Sequence, residues 1–364
     1  MTQQSEAVGH AGTERARITA YPWDTGRDPA VDLLRGVAVV CMIIAHVRVW
    51  APTDAVPVKL TLLMVNNVAS PLFALVMGVS AGIVLTRRRH RAAGATFVVR
   101  NVVRGLILIA LGVLLQQLGT FVAIVLMSLG ATLVVASPLA LLPVPILAVT
   151  TVATFAIGPW VNAAARAGLD PARVYGTAWV DQVLQWLVLS THYRVVSLLP
   201  FVLAGVLLAR YRLTVRTALT SIGVGVLAGA AVIVLRLLGH GHGVSEIVSG
   251  GVPDALLDVA LAGTALGVIV LLARWAPMAP AVTVLMPVRA VGAMALTAYV
   301  LHVCLIALAQ RSVLVEDPRA PYEHWLLYGG GILVITVLAC WAWWRLLGKG
   351  PIERAMGLVT DRIG

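Results

Sequence analysis

Charge is scarce in this chain: Asp, Glu, Lys and Arg make up only 12% of its 364 residues. A soluble domain carries about a quarter, so there is too little charge here to cover a water-facing surface. Carboxylates are scarcest, 16 against 27 basic residues, and most lie in tails, loops or at the ends of apolar runs. That argues against a proton-coupled carrier, which places a carboxylate near the bilayer midplane. Only three cysteines occur, Cys41, Cys304 and Cys340, without CxxC or metal spacing. They exclude a disulfide framework and read as small buried hydrophobes. Short alternating strands are missing, which excludes a β-barrel. No internal repeat, low-complexity tract or soluble domain stands out. Residues 1–29 have no apolar core ending at a small-residue cleavage site, so no signal peptide is expected there. They read as a disordered cytoplasmic tail with an interfacial start near Tyr21–Trp23.

What the chain has is apolar length. Hydrophobic residues make up 60% of it, and the mean hydropathy is +0.93. Backbone polar groups cannot stay unpaired in lipid, so long continuous runs must be helices. The expected fold is all-α and polytopic, with about ten spans: 31–50, 60–86, 98–118, 121–137, 139–160, 194–210, 216–238, 254–274, 288–311 and 325–347. The fourth and sixth are short. With the N-terminus inside, 19 of the 27 basic residues fall on the cytoplasmic side. This bias predicts cytoplasmic N- and C-termini in a multi-pass protein of the plasma membrane. It also explains the net charge of +11 without nucleic acid, because the basic residues sit at span ends. The transmembrane domain is expected over 30–348, followed by a cytoplasmic tail over 349–364.

Ionisable groups inside a membrane are costly and therefore candidates for function. The first span reads Asp32-Leu-Leu-Arg35-Gly36 and, later, Ala45-His46-Val-Arg48. Arg35 and His46 lie eleven positions apart, roughly 16 Å along a helix and nearly on one face. Asp32 is placed to pair with Arg35. The ninth span repeats this with Arg289 and His302, and Thr297 and Tyr299 lie between them. His302 is expected at a depth similar to His46, where the two either line one cavity or merely bond neighbouring helices. In the second span Asn66, Asn67 and Ser70, ahead of Pro71, either orient a substrate or pack. The basic run Arg87–Arg91, with Arg100 and Arg104, faces anionic lipid headgroups or a polyanionic cofactor such as coenzyme A. Outside, 162–193 is long enough for a re-entrant or interfacial helix over an outer cavity, and carries Asp181 and His192; Arg194 follows. His240 and His242 alone make no metal site, and no metal is expected.

These segments, in this order, resemble the transmembrane acyltransferase superfamily: heparan-α-glucosaminide N-acetyltransferase-like proteins, bacterial YeiB-like relatives and acyltransferase-3 proteins. "DLLRGVAVVCMIIAHVRVW" resembles the opening Asp-x-x-Arg-Gly helix, and its Arg-x10-His spacing the acyltransferase-3 motif. "SPLFALVMGVSAGI", "LLPFVLAGVLLAR", "AVGAMALTAYVLH" and "GKGPIERAMG" resemble later family segments. The resemblance runs from about residue 27 to 357 and implies an enzyme. Acyl-coenzyme A, with acetyl the simplest acyl group, would bind from the cytoplasm, its phosphates near Arg35, Arg289 and the 87–104 cluster. His46, with His302, would act as general base or carry the acyl group. A sugar or cell-envelope glycan would enter from outside near Asp181, His192 and Arg194. Related families form dimers, so a homodimer is an expectation. The rival reading is a transporter or flippase of a small molecule or lipid-linked substrate, relaying protons through His46 and His302. A non-catalytic scaffold leaves the Arg–His face unexplained.

Overall fold

The computed structural model describes residues 27–51, 55–87, 92–168, 176, 178–239, 249–274, 284–316 and 319–363. Tyr21–Trp23, Arg88–Arg91 and His240–His242 lie outside these residues. Every regular element in the described residues is helical. The long ones are α1 (Pro29–Val47), α2 (Val56–Arg87), α3 (Ala92–Gln116), α4 (Leu126–Leu139) and α5 (Val144–Gly168). A short α6 (Trp179–Leu184) with a following π turn leads to α7 (Val195–Arg210), α8 (Val215–Leu237) and α9 (Val252–Arg274). Then come α10 (Met286–Ala293), α11 (Ala295–Glu316), a single turn α12 (Ala320–Glu323), α13 (Gly331–Leu347) and α14 (Pro351–Thr360).

Eight helical segments among the described residues are long and apolar enough to cross a membrane. Two shorter apolar helices, Leu126–Leu139 and Val195–Arg210, correspond to the fourth and sixth expected spans. At 1.5 Å per residue they extend roughly 21–24 Å, short of a bilayer core, and both are packed inside the bundle. The chain is an all-α polytopic membrane protein.

Burial separates the helices into two groups. In α1 and α2 more than half of the apolar window is buried, 61% and 56%, against 22% in α3 and α5. The outer helices therefore present apolar side chains such as Val149, Val152 and Leu227 outward, as lipid requires. Close helix contact at the centre depends on glycine. A Cβ on Gly36 would stand 2.0 Å from the Val288 carbonyl oxygen, and one on Gly292 1.7 Å from that of Asp32. These two glycines let α1 and α10 touch backbone to backbone.

The ninth expected span, 288–311, is broken. Met294 (φ −126°, ψ 38°) separates α10 from α11. In an unbroken helix the Gly292 carbonyl would accept from Leu296 N–H. Instead it accepts from Arg35 Nη1 at 3.0 Å, and Leu296 N–H donates to Glu353 Oε1 at 2.8 Å. Two charged side chains from opposite ends of the chain have taken the two halves of that rung. Pro71, by contrast, sits inside a continuous α2.

Candidate active site

The cationic end of the site is built on the first turns of α1. Asp28 caps this helix by accepting from Ala30 N–H at 3.0 Å, and Pro29 starts it. Asp32 is buried and accepts from Arg27 Nε and Nη2 at 2.8 and 2.6 Å. Arg35 Nη1 stands 3.3 Å from the same carboxylate, while Nη2 donates to Ser80 Oγ of α2 at 2.8 Å. One guanidinium thus joins α1, α2 and α10. Arg35 also lines a cavity of about 410 Å³ at the face of the bundle that carries the start of α1 and the C-terminal helix. Its charged lining residues are Arg27, Arg35, Arg104, Lys349, Glu353 and Asp361. Four cations against two carboxylates make a lining suited to a polyanion.

Eleven positions further along α1, His46 meets His302 of α11. His46 Nδ1 lies 3.0 Å from His302 Nε2, and the rings stack 5.2 Å apart at 15°. His302 Nδ1 lies 3.1 Å from the Ala298 carbonyl oxygen. A carbonyl can only accept, so Nδ1 of His302 carries a proton and donates it. With no carboxylate among the described residues bonded to either buried ring, both are best accommodated neutral. His302 Nε2 is then a bare acceptor, His46 Nδ1 is the donor, and His46 Nε2 holds a lone pair. That atom is buried and has no hydrogen-bond partner among the described residues. The Ala298 carbonyl therefore fixes, through two rings, which nitrogen of His46 is basic.

Tyr299 separates this pair from the cationic cavity. It lines the inner end of the cavity and sets its ring edge-on to His302 and His46, with centroids 5.1 and 6.5 Å away. Its hydroxyl accepts from Val125 N–H at 3.2 Å. The histidines themselves do not line the cavity. A second cavity of about 350 Å³ opens at the opposite end of the bundle. The first turn of α4 is the partition: Leu126 and Leu129 face the cationic cavity, Met127 and Ser128 the other. Among described residues this second lining is uncharged, with Gln116, Gln182, Gln185, Trp186, His192 and Tyr193. Burial, and then the Arg194 and Arg48 charges, hold the His192 imidazole below its usual value.

The structure gathers some expected site residues and leaves others apart. Arg35, Arg104 and Tyr299 line the cationic cavity, His46 and His302 bond each other, and His192 lines the neutral cavity. Asp32 holds the two arginines. Arg289 is buried beside Trp344, with its guanidinium carbon 5.8 Å from the indole centroid. Arg100 donates to the Ile363 carbonyl at 2.8 Å. Neither is brought to the cavity lining. Asn66 and Asn67 bond each other at 3.2 Å, and with Ser70 they line neither cavity. Asp181 packs beside Gly176. Arg194 is buried with its Nη2 2.6 Å from Ser249 Oγ, tied to the loop before α9. Arg27, Ser80 and Glu353 were missed as site residues. Arg27 stands two residues before the first helix, and Glu353 lies in the segment read as a tail; only the "GKGPIERAMG" resemblance pointed to it.

Fold and site together define a multi-pass helical membrane protein whose buried histidine pair lies between a cationic and a neutral cavity. The family model for the acyltransferase domain, acyltransferase-3, matches residues 28–345, and the chain belongs to that family. It is a membrane acyltransferase. No curated protein and no solved structure gives a significant match to the chain.

Proposed function

We propose that the protein transfers an acyl group, acetyl in the simplest case, from cytosolic acyl-coenzyme A to a hydroxyl of an extracytoplasmic glycan. The observation that carries this reading is the lone pair of His46 Nε2, oriented through His302 and set roughly 16 Å along one helix from Arg35. An extended pantetheine arm is of that length. In this reading both termini are cytoplasmic, so the cationic cavity meets the donor's phosphates and the neutral cavity meets the acceptor. Arg35, Arg27, Arg104 and Lys349 would hold the phosphates. Tyr299 must swing from the Val125 amide for the thioester to reach His46. The amides, indole and hydroxyls of the neutral cavity suit an uncharged sugar.

His46 Nε2 takes the proton of the acceptor hydroxyl as its oxygen attacks the thioester carbonyl carbon. The carbon–sulfur bond breaks, and the imidazolium returns the proton to the departing thiolate. The products are an ester and free thiol, with no net proton released. His302 accepts from His46 Nδ1–H throughout and strengthens that bond when His46 is charged.

The test is transfer of radiolabel from acetyl-coenzyme A to cell-envelope glycan by purified protein in vesicles. His46→Ala is expected to lose transfer at least about a hundredfold, the usual scale for a general base, while keeping its thermal unfolding midpoint. An active His46→Ala protein contradicts the assignment. Movement of the glycan across the vesicle without acylation would favour the transporter.

A further inference from the structure

Glu353 is an acidic side chain in a cavity otherwise suited to anions, and acyl transfer as described above gives it no chemical step. Its carboxylate accepts three hydrogen bonds from the start of α11. Oε1 accepts from Leu296 N–H at 2.8 Å and Thr297 N–H at 3.1 Å; Oε2 accepts from Thr297 Oγ1 at 2.5 Å. Next to it, Ile352 N–H donates to Thr297 Oγ1 at 3.3 Å. Gly350 makes this approach possible, because a Cβ there would fall 2.2 Å from Glu353 Oε2 and 2.6 Å from Thr297 Oγ1. The Gly350-Pro351-Ile352-Glu353 segment is thus fitted to the first turn of α11.

That turn is where the histidine pair is set. Ala298, the residue after Thr297, supplies the carbonyl that dictates the His302 tautomer. Tyr299, the next, closes the cationic cavity. Without Glu353, the Leu296 and Thr297 amides would have to find acceptors within the bundle. The nearest by chain geometry are the Gly292 and Ala293 carbonyls, four residues back. Leu296 N–H returning to the Gly292 carbonyl would compete with Arg35 for it and straighten the break.

We propose that Glu353 is a positioning residue of the acyl-transfer site, holding the break between α10 and α11 open and so fixing His302 and, through it, His46 Nε2. This rests on the acyltransferase mechanism proposed above for its catalytic meaning, but not for its structural content. Nitrogen-15 NMR of the histidine rings reads it directly in full-length protein in nanodiscs, with His302→Asn to assign the signal. His302 should show a protonated Nδ1 in the wild type and in Glu353→Gln, whose amide oxygen can still accept from both backbone amides. Glu353→Ala and Gly350→Ala should show a mixture of tautomers. In transfer assays Glu353→Ala should lower kcat roughly tenfold or more, the scale of a lost orienting partner, with KM for acetyl-coenzyme A little changed. Glu353→Gln should restore most of it. A wild-type His302 signal in Glu353→Ala overturns the proposal, and so does a loss of activity that merely follows the folded fraction. If the tautomer responds but no variant, wild type included, transfers acetyl, the positioning role stands and the acyl-transfer mechanism falls.

Discussion

At the scale of the residue, the proposed chemistry depends on a chain of hydrogen bonds with one direction. The Ala298 carbonyl orders His302, His302 orders His46, and the basic nitrogen is left without a partner among the described residues. Replacing His302 by Asn removes the acceptor opposite His46 Nδ1 and leaves the imidazole free to choose either tautomer. Transfer should fall roughly 10- to 100-fold in kcat, as for other lost orienting partners, with donor affinity unchanged; a donor-affinity defect would place His302 in binding instead. His192 makes a separate prediction at the far cavity. Its imidazole is held below the ordinary 6.5, first by burial and then by Arg194 and Arg48. The folded state therefore binds fewer protons than the unfolded chain, and stability present above that value is lost as the pH falls below it. Between about pH 7 and about pH 5, the range where imidazole titrates, wild type should lose more of its unfolding midpoint than His192→Gln. Equal losses would show that His192 does not contribute.

The helices explain why these residues meet. Arg35 and His46 share α1, but they make a site only because α10 and α11 lie against it. Gly36 and Gly292 permit that approach, with no room for a Cβ on either. Gly36→Ala should push α1 from α10, break the Arg35–Gly292 bond and lower the yield of folded protein in detergent; an unfolding midpoint within about 1 °C of wild type, a change expected from under about 1 kcal/mol in a chain this size, would contradict it. Much of this was legible in the sequence, because a helix repeats every 3.6 residues and hydropathy marks its length. The ten apolar segments, the two short ones among them, and the shared face of Arg35 and His46 follow from local spacing. The break at Met294 does not, because the partners that take its two unpaired backbone groups, Arg35 and Glu353, lie 259 and 59 positions away in the chain. For the same reason Glu353 was absent from the expected site, and the side-by-side position of Arg289 and Trp344 was hidden. The neighbours of buried cations are set by tertiary contact, which spacing along one helix does not report.

Over the whole molecule, two unlike cavities lie at opposite ends of a bundle, and a thin layer of Tyr299 and the first turn of α4 stands between them. Under the proposed function, a charged donor and a neutral acceptor would approach His46 without sharing an entrance. Of the lipid-facing helices, α3 contributes Arg104 to the cationic lining and Gln116 to the neutral one. Binding of acetyl-coenzyme A to the purified protein, followed by calorimetry alongside Arg35→Ala and His46→Ala, tests this division of labour most directly. Wild type and His46→Ala should bind alike, and Arg35→Ala should bind at least about tenfold more weakly, the loss of one charge-assisted contact. Equal binding by Arg35→Ala, or no binding by well-folded wild type, would contradict a donor site at the cationic end of α1.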